Sequence, residues 1–164
     1  IKAKTAALFC TCAKLGALST LKELDDKAQR LIEMSENLGT CFQLKDDVFD
    51  FSDIEDLGKP TMNDIRDGKA TLPIIKSLQR ATKEEAAHIK ELAEALASKS
   101  PHIDVFEAEQ EIRSFVLRYD GIRYSHQLME KYRKKAIEAL SSLPDNKYKE
   151  SLIALLNYAI NRVH

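Results

Sequence analysis

Apolar residues recur at helical spacings of three or four positions along almost the whole chain, and this pattern constrains the fold more than any other feature. No stretch reads as a half-buried strand, in which apolar and polar residues would alternate. The pattern therefore predicts an all-α fold of roughly seven helices that form a single helical domain over residues 1–164. The predicted helical segments are 2–19, 21–51, a short turn at 63–67, a segment that begins near 73, and 82–98, 104–118, 122–143 and 145–163.

Several residues are placed to mark helix ends or close contacts. Thr82 and Glu85 have the spacing of a capping box, and Asp104 precedes the next apolar periodic segment as a cap would. Gly39 lies inside an otherwise good helix, where glycine costs about 1 kcal/mol relative to alanine, so we expect another helix or a ligand to approach closely there. Gly121 is predicted to be a helix C′ stop or a joint between two helices.

The composition excludes several classes of function. With 44% hydrophobic and 31% charged residues the chain is typical of soluble globular proteins, and a net charge of −1 predicts no nucleic-acid-binding surface. No apolar run approaches the roughly 20 residues that span a bilayer, so we expect no transmembrane segment. The three cysteines, Cys10, Cys12 and Cys41, lack metal-binding spacing and are predicted to be reduced, buried thiols of a cytoplasmic protein.

Three aspartates, Asp46, Asp47 and Asp50, are the strongest chemical signal. On a helix Asp46 and Asp50 would lie one turn apart on one face, with Asp47 at i−3 to Asp50. Like charges at this spacing destabilise a bare helix by roughly 0.2–0.5 kcal/mol, which favours a compensating cation. Carboxylate oxygens suit Mg²⁺, usually bound through one or two carboxylates plus water and substrate phosphate. The alternative is a solvated acidic helix end.

The segment that follows the aspartates is predicted to be a loop over residues 52–62, because it contains glycine, proline and further acidic residues. Asn63 and Asp64 are predicted to cap the short helical turn after it. Lys59 and Lys69 then occupy loop or loop-edge positions beside the aspartates. Ammonium groups there are suited to contact phosphate oxygens.

These residues resemble a known family. The run FQLKDDVFDF followed by LGKPTMNDIRDGKATLPII resembles the second aspartate-rich region of the trans-isoprenyl diphosphate synthases, and KTAALF near the start resembles their segment that contacts the allylic diphosphate. The GKP and GKATLP continuation is most similar to the long-chain, octaprenyl-type polyprenyl synthases. The resemblance implies the C-terminal part of an isoprenoid-synthase-type helical bundle.

The resemblance also implies roles for individual residues. Asp46, Asp47 and Asp50 would be metal ligands for Mg²⁺, and these aspartates with Lys4 and Lys59 would be the catalytic residues. Residues that bind the substrate would be Lys4, Thr5, Phe42, Gln43, Lys59 and Lys69. The substrates would be an allylic diphosphate and isopentenyl diphosphate, and the full-length enzyme would be a homodimer.

The chain departs from the family pattern in one respect. It contains neither a second DDxxD or DDxxxxD motif nor a paired-arginine motif, and its helix-like start at Ile1 carries no start methionine or cap. We therefore expect the C-terminal half of a longer synthase, inactive alone, with exposed apolar surface that favours self-association. Two alternatives are a non-catalytic helical partner like a small subunit and an ionisation-type terpene cyclase.

Overall fold

The computed structural model describes residues 5–20, 23–52 and 61–162. These parts contain eight α-helices and no strand, as the apolar spacing predicts. In chain order the helices are α1 (Ala7–Leu18), α2 (Asp26–Phe49), α3 (Asn63–Arg66), α4 (Leu72–Arg80), α5 (Lys83–Ala97), α6 (Val105–Arg118), α7 (Gly121–Ser141) and α8 (Lys147–Asn161). Along the described stretches, none of these helices is both long enough and apolar enough to cross a membrane.

Contacts between Cα atoms divide the chain into two compact units. The first unit takes in the chain up to Lys45 together with Gln127–Arg162, and the second takes in Asp46–His126. Helices α2 and α7 each begin in one unit and end in the other. That residues 1–164 form a single domain stays a prediction.

The first unit has a core built from α2, α7 and α8, against which Phe9 of α1 also packs. Helix α1 approaches α2 at Gly39, where an added Cβ would lie 2.7 Å from the Cα of Ala6 and 3.0 Å from a ring carbon of Phe9. The close helix contact predicted at Gly39 is therefore confirmed. The buried core residues are Met34, Leu38, Cys41, Ala136, Ala139, Leu140, Leu156 and Ala159.

The second unit has its own core, formed by α3 to α6 together with Phe51 and Met62. Gly121, the first residue of α7, meets α4 so closely that a Cβ would collide with the Pro73 carbonyl oxygen and the Ser77 hydroxyl. Of the two roles predicted for Gly121, the structure therefore shows the helix joint. Helix α6 ends at Arg118, and Asp120, the residue directly before Gly121, has a positive φ of 56°.

Two helix starts predicted from local sequence are confirmed, and three differ. The capping box of Thr82 and Glu85 is complete, and Asp104 accepts a hydrogen bond from the Glu107 amide at 3.0 Å. Helix α2 begins at Asp26, not near residue 21, because the Asp25 carboxylate accepts the Ala28 amide at 2.8 Å and so caps the helix there. Helix α8 begins after Asn146 for the same reason, since its side chain accepts two amides at 3.0 Å.

The third difference is at α3. The residue before this short helix is Met62, with φ 62° and no side-chain cap, so the predicted capping by Asn63 and Asp64 is wrong. Both residues lie inside the helix, and the capping group comes from Asp50, described below.

The three cysteines are free thiols, as predicted, but their burial differs. Cys41 is fully buried, and burial raises the pKa of its thiol to about 12. Cys12 is exposed, so its predicted burial is wrong. It lies on a face of α1 that also exposes Leu8 and Leu15, and apolar spacing alone does not show which side of a helix finds a partner.

Candidate functional site

Asp46 and Asp47 lie on the last turn of α2, and the two side chains have different surroundings. Asp46 is half-buried, whereas Asp47 is only 5% exposed. A carboxylate oxygen of Asp47 accepts the amide of Leu72 at 3.4 Å, at the start of α4. The N-cap residue of α4, Thr71, makes no capping bond with its own side chain, so Asp47 supplies an acceptor from 25 positions away.

Asp50 follows the end of α2 at Phe49, although its amide still donates to the Asp46 carbonyl at 3.2 Å. Its two carboxylate oxygens accept the amides of Asn63, at 2.8 Å, and Asp64, at 3.1 Å. Asp50 therefore caps α3, whose first residue is 13 positions later in the sequence. The aspartates of the DDVFD motif thus hold the starts of two later helices, a role that spacing along α2 does not indicate.

The charge state of Asp50 reflects its surroundings. Burial, followed by the nearby Asp64 carboxylate, raises its pKa to about 6, while the two backbone amides and Lys69 act in the opposite direction. Asp64 is thus a fourth carboxylate of this region, which sequence reasoning had assigned only to a helix cap. The sequence signal that could have identified Asp64 as a residue of this region was its position directly before the IRDGKAT run.

Lys69 lies beside these carboxylates in the second unit. Its Nζ is 3.1 Å from Asp64 and 2.8 Å from Asp67, and its side chain is about half exposed, at 49%. Hydrogen bonds to Asp67 and then Asp64 raise the pKa of the Lys69 ammonium, which therefore stays charged. Of the predicted site residues in this unit, Asp50 and Lys69 thus share one neighbour, Asp64.

The predicted substrate residues of the first unit form a separate set of contacts. The Thr5 hydroxyl donates to the side-chain oxygen of Gln43 at 2.5 Å, so two residues 38 positions apart are brought together. Phe42 packs against Phe9 with ring centroids 5.6 Å apart. The guanidinium of Arg162 lies 3.9 Å above the Phe42 ring and donates to the Phe42 carbonyl at 3.2 Å.

Two basic residues of this unit were missed by sequence reasoning. These residues are Arg162 and Lys45. Lys45 is half-buried, and burial, followed by the charge of Arg162, lowers the pKa of the Lys45 ammonium. Lys45 stands directly before the aspartate pair, which was the available signal. Arg162 offered no signal, since it is 120 positions from Phe42. The predicted site residues Lys4 and Lys59 lie outside the described residues.

The donor set fits a hard divalent cation. Asp46, Asp47, Asp50 and Asp64 offer carboxylate oxygens, which Mg²⁺ prefers. Burial and then the Asp64 carboxylate raise the pKa of Asp50, so a cation bound beside it would favour its charged form. In the parts of the chain that the structure describes, no three acidic, histidine or cysteine side chains converge closely enough to hold a metal by themselves. Mg²⁺ bound here would therefore take oxygens from water and from a phosphate ligand as well.

Comparisons with known proteins point to one family. A family model described as polyprenyl synthetase matches residues 1–109. The chain is 38% identical over 158 residues to the geranylgeranyl diphosphate synthase of Saccharolobus solfataricus, covering 95% of the chain and 45% of that protein. It is 31% identical over 164 residues to the octaprenyl diphosphate synthase of Haemophilus influenzae, covering 99% of the chain and 47% of that protein.

The solved structures agree with the sequence comparisons. The polyprenyl synthase of Caulobacter crescentus, whose structure is described as a complex with calcium and isoprenyl diphosphate, superposes with a TM-score of 0.84 at 32% identity. That match covers the whole chain and 48% of the solved structure. The predicted all-α, isoprenoid-synthase-type fold is thereby confirmed. The chain spans about half the length of the relatives it matches.

Proposed function

Since the chain belongs to the polyprenyl synthetase family, as its motifs predicted, we propose that it forms the part of a trans-polyprenyl diphosphate synthase that holds a Mg²⁺-bound allylic diphosphate. One observation carries the proposal. In the second unit Lys69 lies 3.1 Å from the Asp64 carboxylate, whose charge raises the pKa of Asp50, and the Asp64 amide donates to the Asp50 carboxylate that caps α3. Carboxylates beside an ammonium at the edge of a loop are suited to bind a metal and its phosphate ligand together.

Each predicted residue has a role in this proposal. Asp46 would bind the metal directly, with Asp47 and Asp50 acting directly or through water. Contacts to the diphosphate would come from Lys4, Thr5, Lys59 and Lys69. Phe42 and Gln43 would line the substrate cavity, where the Thr5–Gln43 hydrogen bond fixes the orientation of the Gln43 amide.

The family's chemistry explains why these groups are needed. In the whole enzyme the C–O bond of the allylic diphosphate breaks, the double bond of isopentenyl diphosphate attacks the allylic cation, and a proton is lost. When bound, Mg²⁺ supplies Lewis-acid stabilisation of the charge that develops on the departing diphosphate. Ammonium groups such as that of Lys69 contribute further positive charge at the same oxygens.

Binding of inorganic pyrophosphate, measured by titration calorimetry with and without Mg²⁺, tests the proposal. We expect Mg²⁺-dependent binding by the 164-residue chain, and we expect Asp50→Asn and Lys69→Met each to weaken it by about tenfold or more. Asn keeps one oxygen acceptor for the α3 amides, so the fold is retained while the charge is lost. Asp145→Asn and Lys131→Met, at exposed positions of the first unit, are the matched controls.

Turnover is expected to need more than this chain. The 164 residues carry one DDxxD motif, and three carboxylates do not offset the charge of the several metal ions that the family uses. Incubation with allylic diphosphate, isopentenyl diphosphate and Mg²⁺ should therefore give no elongated product. Robust product from this polypeptide alone would refute the expectation of an inactive half.

A non-catalytic, small-subunit-like partner is the second candidate, and the same titration separates it from the first. Such a partner needs no metal site, so it predicts no Mg²⁺-dependent pyrophosphate binding. The intact DDVFD, GKP and GKATLP segments favour the synthase. Membership of the polyprenyl synthetase family favours chain elongation over a terpene cyclase. A homodimeric, cytoplasmic full-length enzyme is part of the proposal, drawn from the family resemblance.

A further inference from the structure

A glutamate of α6 is buried beside the core of the second unit. Glu109 is only 8% exposed, and Ile112, on the same helix, is a fully buried apolar core residue. Charged side chains are rarely buried unless they are paired, because removing a charge from water is costly. The partner of Glu109 therefore indicates what its burial achieves.

That partner is Arg66, the last residue of α3. The Nε of Arg66 donates to a carboxylate oxygen of Glu109 at 2.5 Å, across 43 positions of the sequence. Arg113, one turn later in α6, is buried as well but has other partners. It donates to the Ser52 carbonyl at 2.5 Å and to the Thr61 hydroxyl at 3.0 Å. Glu109 is thus the residue through which α6 holds the end of α3.

Helix α3 depends on such contacts for its orientation. It has four residues, and helices of this length are not stable by themselves in water. Ile65, at 3% exposure, belongs to the core of the unit. Because successive residues of an α-helix are about 100° apart, Asp64 and Arg66 project on either side of Ile65. A rotation of α3 about its axis would therefore move both side chains together.

Asp64 is the residue of α3 that belongs to the proposed diphosphate site. Its carboxylate lies 3.1 Å from the Nζ of Lys69, and its carbonyl accepts the Lys69 amide at 2.7 Å. Its own amide donates to the Asp50 carboxylate at 3.1 Å. Since Asp64 and Arg66 belong to the same short helix, a contact that restrains Arg66 also restrains the direction of the Asp64 carboxylate.

We propose that Glu109 is a positioning residue of the diphosphate site, which sets the direction of the Asp64 carboxylate by holding Arg66. This inference rests on the proposed function, since it assumes that Mg²⁺ and diphosphate bind beside Asp64. Glu109 acts through α3 and does not itself contact the ligand. Its effect on diphosphate binding should therefore depend on the presence of both Asp64 and Arg66.

Two double-mutant cycles on pyrophosphate binding test this dependence. In the presence of Mg²⁺, we expect Asp64→Asn, Glu109→Met and Arg66→Met each to weaken pyrophosphate binding by about tenfold, the effect of losing one charge-assisted hydrogen bond. In the Asp64→Asn background, and likewise in the Arg66→Met background, Glu109→Met should weaken binding by less than about twofold. Glu109→Gln keeps an oxygen acceptor for the Arg66 Nε, so it should bind within about threefold of the wild type.

Two controls on the same helix separate positioning from a loss of charge or of stability. Glu111→Met removes a negative charge from a side chain that is 51% exposed, and it should leave the affinity unchanged. Val116→Ala leaves a cavity in the core, so it should lower the urea midpoint of unfolding without weakening pyrophosphate binding. Circular dichroism at the titration temperature establishes that each variant is folded.

The outcomes separate this inference from the proposed function. If the wild type shows no Mg²⁺-dependent binding, the proposed function fails and the inference fails with it. If Asp50→Asn and Lys69→Met weaken binding while Glu109→Met does not, only the inference is overturned. Full additivity of Glu109→Met with Asp64→Asn also overturns it, because Glu109 would then act by a route other than Asp64.

Discussion

Helices α1 and α2 approach each other so closely at Gly39 that no space is left for a side chain. The addition of one atom at this position therefore disturbs the packing of the first unit. An added Cβ would lie 2.7 Å from the Cα of Ala6, a backbone atom that cannot rotate away. We expect Gly39→Ala to lower the free energy of unfolding by about 1–3 kcal/mol, the typical cost of overpacking, despite the better helix propensity of alanine. Urea unfolding followed by circular dichroism measures this change.

Gly16 provides the matched control within the same unit. It lies inside α1, and a Cβ there would meet nothing within 4 Å. Gly16→Ala should therefore stabilise the protein by about 0.5–1 kcal/mol, the propensity gain alone. Equal effects of the two substitutions would show that packing at Gly39 does not limit stability.

At the scale of elements, the start of α3 depends on a carboxylate from beyond its own segment. Asp50 accepts two α3 amides, and the local N-cap Met62 supplies no side-chain acceptor. We expect Asp50→Ala to cost about 1–2 kcal/mol of unfolding free energy, whereas Asp50→Asn, which retains one oxygen acceptor, should cost less. Urea unfolding in the presence of a chelator measures the stability of each variant without bound metal.

The same pair of variants separates the capping role of Asp50 from metal binding. Both should weaken Mg²⁺-dependent pyrophosphate binding by about tenfold or more, but only the alanine variant should lose substantial stability. Asp104→Ala is the control for the loss of a helix cap away from the aspartate motif, because Asp104 caps α6 with a single bond to a residue three positions away. If Asp50→Ala is as stable as the wild type, the two amide bonds contribute nothing to the fold.

At the scale of the whole molecule, an apolar stripe on α1 remains exposed. Leu8 is 65% exposed and Leu15 is 63% exposed, two turns apart on the helix, with the exposed Cys12 between them. Exposed apolar stripes of this kind favour association, so we expect the isolated chain to self-associate. In sedimentation equilibrium, Leu15→Lys should weaken this association by about tenfold, the effect of no longer burying one leucine.

Leu117 provides a control for replacing an exposed leucine outside α1. It is 58% exposed on α6, and Leu117→Lys should leave self-association unchanged. A wild-type chain that sediments as a monomer at micromolar concentrations would contradict the expectation.

Local sequence was sufficient for the helical class, the capping box at Thr82, and the close approach at Gly39. It was insufficient for the start of α2, predicted near residue 21, because several residues before Asp26 also fit a helical pattern and only the structure shows that Asp25 caps the helix. Within the site, the predicted residues Gln43 and Thr5 form a hydrogen bond, whereas Asp64 was assigned only to a helix cap and Arg162 gave no signal. These residues act through partners that adjacent sequence does not reveal.

The sequence by itself determined that the chain is helical, where α5 and α6 begin, and which family its motifs belong to, because helical periodicity, capping and motif spacing depend on residues a few positions apart. Only the tertiary structure decided that Asp47 and Asp50 hold the starts of α4 and α3, and that Arg113 bridges Ser52 and Thr61. Those contacts join residues 13 to 61 positions apart. A side chain finds such a partner only after the helices have packed, because packing brings distant donors and acceptors within hydrogen-bonding distance.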